Sequence, residues 1–151
     1  MKRITSAVLV LVMSAILLSS TSCKKVPATP DQPPTVEQFP LTVIIPKTTL
    51  QVGEQVTVTA SIVNNYGKPV DIAMGNRGDM PNFFFRAADD TSTVYEFAVL
   101  ATFVFNAGKE RTRTCTIPSD KPGEYLLDVY YEMTADGVQM SQKYEFAITI
   151  V

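Results

Sequence analysis

From Leu41 to the C-terminus, apolar and polar residues alternate with a period of two. The clearest case is Gln55–Val63, where Val56, Val58, Ala60 and Ile62 fall on one face and Thr57, Thr59 and Ser61 on the other. Such alternation belongs to a strand with one buried face. A second case follows the turn formers Asp120-Lys121-Pro122-Gly123: Tyr125, Leu127, Val129 and Tyr131 share a face, with Leu126, Asp128, Tyr130 and Glu132 opposite. The final segment repeats the pattern with Tyr144, Phe146, Ile148 and Ile150. Further strands are predicted over Leu41–Ile45, Val70–Met74, Phe83–Ala87, Val94–Phe105 and Arg111–Ile117. Turn formers separate them: Gln51–Glu54, Asn64–Pro69, Gly75–Asn82, Asp89–Ser92 and Asn106–Lys109. Asp136-Gly137 favours a tight hairpin before the last strand.

No segment after Leu41 carries a helical period, so the expectation is all-β, an antiparallel β-sandwich of about seven to nine strands over residues 41–151. An eight-stranded barrel is the alternative. Each apolar face needs a second sheet to cover it. A chain of 151 residues has room for one such domain and not comfortably for two.

The turn Thr116-Ile-Pro-Ser-Asp-Lys-Pro-Gly-Glu-Tyr125 resembles the entry to the penultimate strand of immunoglobulin-like domains. That resemblance implies a tyrosine corner at Tyr125, its hydroxyl bonded to upstream backbone. The cysteine pair and core tryptophan of antibody domains are absent, with Leu127 near the place of one cysteine. A weaker likeness runs over residues 55–133. Val63-Asn-Asn-Tyr-Gly-Lys-Pro-Val70, Asn82-Phe-Phe-Phe85 and Pro122-Gly-Glu-Tyr125 look like the layout of the intracellular proteinase inhibitor family of bacilli. The tryptophan usual in that pattern is missing, and no inhibitory residue carries over.

The first forty residues follow a different logic. Lys2 and Arg3 precede an apolar run, Val8–Leu18, broken only by Ser14. Small residues then lead to Cys23. The run is too short to span a bilayer and fits a signal peptide over residues 1–22, a membrane helix being the other reading. Ser20-Thr21-Ser22-Cys23 resembles the lipobox of bacterial lipoproteins, although many boxes carry Leu where Ser20 stands. The resemblance implies that Cys23 is lipidated on sulfur and becomes the mature N-terminus. The protein would then be held to a membrane of the bacterial envelope, its domain facing the periplasm or the exterior. Several acyl chains anchor stably where one does not. Residues 23–40 carry Pro27, Pro30, Pro33, Pro34 and Pro40, so they are expected to form a stiff spacer reaching up to roughly 50 Å. Such a segment can also be a ligand for aromatic grooves.

Processing at Cys23 removes two bases and no acid, moving the net charge from −2 to −4. That offers no pull on nucleic acid. Lys24 and Lys25 alone could favour anionic headgroups.

Candidate chemistry is sparse. The chain has no histidine, which removes the usual general base and the commonest metal ligand. Its carboxylates, Glu54, Asp71, Glu96, Asp128 and Glu132 among them, form no motif, and no phosphate loop or nucleophile elbow appears. No catalytic residue, metal or cofactor is expected, and the domain is read as non-enzymatic; a hydrolase working by carboxylates alone is the remaining alternative. Arg77-Gly78-Asp79 spells an integrin-binding tripeptide in what reads as a polar turn. Asp89-Asp90 lacks the spacing of a calcium loop. Cys115, left alone if Cys23 is lipidated, reads as a small buried apolar residue. Three adjacent phenylalanines cannot all face one core. Phe83, Phe84 and Phe85 with Tyr130 and Tyr131 are therefore the candidate patch for an envelope protein or a glycan.

Overall fold

The computed structural model describes residues 32–75, 79–91 and 101–151. Residues 1–31, with the signal segment and Cys23, lie outside them, as do Arg77, Gly78 and residues 92–100, which include positions 94–100 of the strand expected over Val94–Phe105. The described residues form nine strands. Strands β1 (Leu41–Ile44), β3 (Thr57–Val63) and β7 (Glu110–Thr116) make one sheet in the order β1-β3-β7. The second sheet has the order β2-β9-β8-β4-β6, from β2 (Thr49–Leu50), β4 (Val70–Met74), β6 (Ala101–Phe105), β8 (Gly123–Ala135) and β9 (Val138–Ile150). β5 (Asn82–Ala87) joins it by pairing with the first half of β8. Every pairing is antiparallel except β2 with β9.

Two sheets, with β1, β3 and β7 facing β4, β8 and β9, reproduce the strand order of an immunoglobulin-like sandwich. Tyr125, at the start of β8, donates its hydroxyl to the Lys121 carbonyl at 3.2 Å, the bond the tyrosine-corner resemblance implies. Asp136 and Gly137 both take positive φ, 45° and 82°. That is a type I′ turn, whose twist matches the strands it joins.

The alternating residues meet as the pattern requires. Val58, Ala60 and Ile62 from β3 pack with Leu127, Val129 and Tyr131 from β8 and with Ile148 and Ile150 from β9. Loop residues complete this core. Asn64 is wholly buried and makes a local frame: its amide donates to the Phe105 and Lys68 carbonyls, and its oxygen accepts from the Tyr66 N–H.

The expected spacer is shorter than its prolines suggest. Phe39 is wholly buried, and Pro34 is buried as well. Phe39 packs 6.3 Å from the Phe105 ring, and its carbonyl accepts the Tyr131 hydroxyl at 3.0 Å. Residues 36–38 form a single 3-10 turn, with the Thr35 N–H bonded to the Gln38 side chain at 2.8 Å. The Tyr66 hydroxyl donates to the Gln32 carbonyl. Proline forbids a regular strand here; it does not forbid docking, and a phenylalanine between two such stretches supplies the apolar area. The folded unit therefore begins by Gln32 rather than at Leu41.

Candidate functional site

The five aromatics of the expected patch divide between the two sides of one sheet. In antiparallel pairs, opposed residues point to the same face. Phe84 pairs with Asp128 and Asn82 with Tyr130, so Phe84, Asp128 and Tyr130 share the outer face. Phe83 pairs with Val129 and Phe85 with Leu127, which turns both toward the core. Phe85 stacks on Tyr125 with ring centroids 4.9 Å apart. Tyr131 is a core residue, 1% exposed. Its buried hydroxyl is pushed up to about 12, first by desolvation and then by the Glu37 charge. The patch therefore reduces to Phe84 and Tyr130, because the period of two cannot put neighbours on one side.

Between those two rings the structure places something the alternation concealed. Asp128 stands where a solvent-facing residue was expected, yet it is 3% exposed. Its Oδ2 lies 2.8 Å from Lys143 Nζ on β9 and 3.9 Å from Arg86 Nε on β5. Arg86 reaches on to Glu145 at 3.3 Å and donates to the Asp90 carbonyl at 2.8 Å. Lys143 also approaches Glu145, at 3.8 Å. Asp128 Oδ1 has no hydrogen-bond partner among the described residues. Charges from three adjacent strands thus form one ladder, flanked by Phe84 and Tyr130. Strand spacing of about 4.8 Å makes such a row possible. A shallow hollow of about 200 Å³ adjoins it, lined by Tyr130, Glu132, Ser141 and Lys143 among others. Sequence reading missed this cluster because Asp128 lies 42 positions from Arg86 and 15 from Lys143; only the register of β5, β8 and β9 unites them.

The remaining candidates do not join it. Asp79 is exposed and pairs with Arg113 at 3.9 Å. The Asp90 N–H closes a turn on the Ala87 carbonyl at 3.0 Å. Cys115 is half-buried on β7, and burial pushes its thiol up. Arg111 lies 3.9 Å over the Phe103 ring. Among the described residues no group of three His, Cys, Asp or Glu is placed to hold a metal ion. No helix among them is long and apolar enough to cross a membrane.

No known family model matches the chain, and no curated protein sequence does. Among solved structures, the chain is similar to the CARDB domain of a Pyrococcus furiosus protein in complex with di-metal ions. The identity is 15%, over 80% of this chain and 95% of that one, with a TM-score of 0.43. A β-glucosidase from Erythrobacter marinus is similar at 13% identity over 75% of this chain, with a TM-score of 0.43; the chain spans 15% of that enzyme. Spo0M, a sporulation control protein from Bacillus subtilis, is similar at 19% identity over 75% of this chain and 49% of its own, with a TM-score of 0.37. These likenesses are remote, and the strand pairing itself defines the class: an immunoglobulin-like β-sandwich.

Proposed function

We propose that this chain is a lipid-anchored protein of a bacterial envelope, held through Cys23, whose immunoglobulin-like domain works by binding or by structural support rather than by catalysis. The observation that carries the reading is the order basic residues, short apolar run, small residues, Cys23 in the N-terminal segment, ahead of a folded module. Eight residues, 24–31, separate Cys23 from Gln32. Fully extended they reach at most about 30 Å, which keeps the domain close to the bilayer. The outer face of β5, β8 and β9 supports a binding role: Phe84 and Tyr130 offer apolar contact beside the charges of Arg86, Lys143 and Glu145. A flat, mixed surface of this kind suits an envelope protein or a glycan better than an enclosed small molecule.

The anchor is tested by fractionating cells that express the chain or its Cys23→Ser variant, with metabolic incorporation of a fatty-acid probe. The wild-type chain should take up the probe and stay with the membranes after a salt wash, and the variant should do neither. Firm membrane retention of Cys23→Ser would sink the anchor. Cross-linking in intact cells tests the binding role. A reproducible partner lost on Phe84→Ala supports it; the same partner profile with Phe84→Ala overturns this face as its site.

A further inference from the structure

We propose that β9 pairs edge to edge with β9 of a second copy, antiparallel about a two-fold axis at Tyr144. On one side β9 is bonded to β8 along its whole length. On the other, strand pairing among the described residues is confined to Thr149 and Ile150, with β2. Thr149 and Val151 donate their N–H groups to that side, to the Thr48 and Leu50 carbonyls at 2.8 and 2.9 Å. Alternation along a strand points the N–H groups of Ala147, Glu145, Ser141 and Gln139 the same way. Such an edge is a template for a further strand.

Edges of this kind are often guarded by a lysine, whose charge repels a like edge. Here the guard is matched. With the axis at Tyr144, Lys143 stands opposite Glu145 of the second copy, and Glu145 opposite its Lys143, so both cross-strand pairs are of opposite charge. Moving the axis by one residue sets Lys143 against Lys143 or Glu145 against Glu145, which is repulsive. The same register pairs Ser141 with Ala147 and uses residues 140–148, ending before β2 begins. Tyr144 is 42% exposed in the middle of this edge. On the axis it forms a non-hydrogen-bonded pair with its own copy, where Cα atoms approach to about 4.5 Å and aromatic side chains meet. A symmetric pair of this kind closes on itself and does not propagate.

The test uses the full chain in a Cys115→Ala background. Tyr144→Cys should give a disulfide-linked dimer on mild oxidation, since Cα atoms about 4.5 Å apart lie within disulfide range. Gln139→Cys, which faces no equivalent residue in this register, should give at least tenfold less. Equal cross-linking at the two positions, or none at Tyr144→Cys, overturns the register. Light scattering of detergent-purified chains without new cysteines supplies the second measurement. Glu145→Lys places like charges across the axis. Glu145→Pro removes an outward N–H while leaving the bonds to β8 intact. Both variants should halve the protein mass with an unchanged far-ultraviolet spectrum, and a dimer that survives both overturns the proposal.

Discussion

Phe39→Ala is the substitution that most directly asks where the domain begins. A spacer residue in solvent would tolerate it within about 0.5 kcal/mol. The structure implies more. Phe39 is wholly buried, lies against Phe105 and sits beside the carbonyl that Tyr131 holds. Removing a buried phenylalanine costs about 3–5 kcal/mol, from lost transfer energy and the cavity left behind. The docked segment is short and can partly collapse into the gap, so the lower end applies, about 3 kcal/mol. For a domain of this size each kcal/mol lowers Tm by about 4 °C, giving a drop of about 12 °C. Urea unfolding followed by far-ultraviolet circular dichroism, with wild type and variant side by side, measures it. Tyr131→Phe is the companion. It keeps the ring and strands the buried Phe39 carbonyl, at about 1–2 kcal/mol. The two sites share one contact, so the double variant should cost less than the sum. A loss below 1 kcal/mol for Phe39→Ala would refute the docked segment and restore the boundary at Leu41.

Three further outcomes follow from the same geometry. Tyr131 has its pKa raised from 10 to about 12 in the folded state. Its contribution is therefore full below pH 10 and is lost as pH rises toward 12, by about 2–3 kcal/mol. The stability gap between wild type and Tyr131→Phe should narrow or reverse over that window, and a constant gap would refute the assignment. Asp128→Ala strips the counter-ion from Lys143 and Arg86 and should cost about 2–3 kcal/mol in urea unfolding, discounted from a fully buried pair because Lys143 is 42% exposed; a neutral result would mean that the ladder is solvated. Phe85→Ala should destabilise by about 3 kcal/mol and Phe84→Ala by under about 1.5, since only Phe85 packs on the core and stacks on Tyr125. Equal losses would contradict the division of the two faces.

Much of this fold was legible in the chain because a period of two states both the element and the face it buries. Val56 to Ile62, Leu127 to Tyr131 and Ile148 to Ile150 all point inward as the alternation requires. Asp136-Gly137 announced its hairpin because only that turn chemistry accepts two positive φ values in succession. What stayed hidden was hidden for physical reasons. β2 is two residues long, too short for any period. Phe39 follows a run of prolines whose local rule is extension, and docking is decided by an apolar slot that β8 and the β3–β4 loop create. Asp128 obeys the alternation as a polar residue on the outer face. Only pairing with β5 and β9 brings Arg86 and Lys143 over it and closes it from water.

That last difference decides where a partner would dock. A strand pattern distinguishes the core face from the other face, and it is silent on whether the other face is bathed in solvent or built. Here it is built: the carboxylate of Asp128 draws Arg86 and Lys143 inward, and the ladder fixes their stems on the face that carries Phe84 and Tyr130. Ordering those stems before contact lowers the entropy lost when a partner orders them. Asp128 is therefore a positioning residue for that face. Asp128→Asn should weaken a partner captured through Phe84 more than Glu132→Gln does, although Glu132 is on the same outer face of β8. Equal weakening, measured by the same cross-linking yield, would mean that the ladder serves the fold alone.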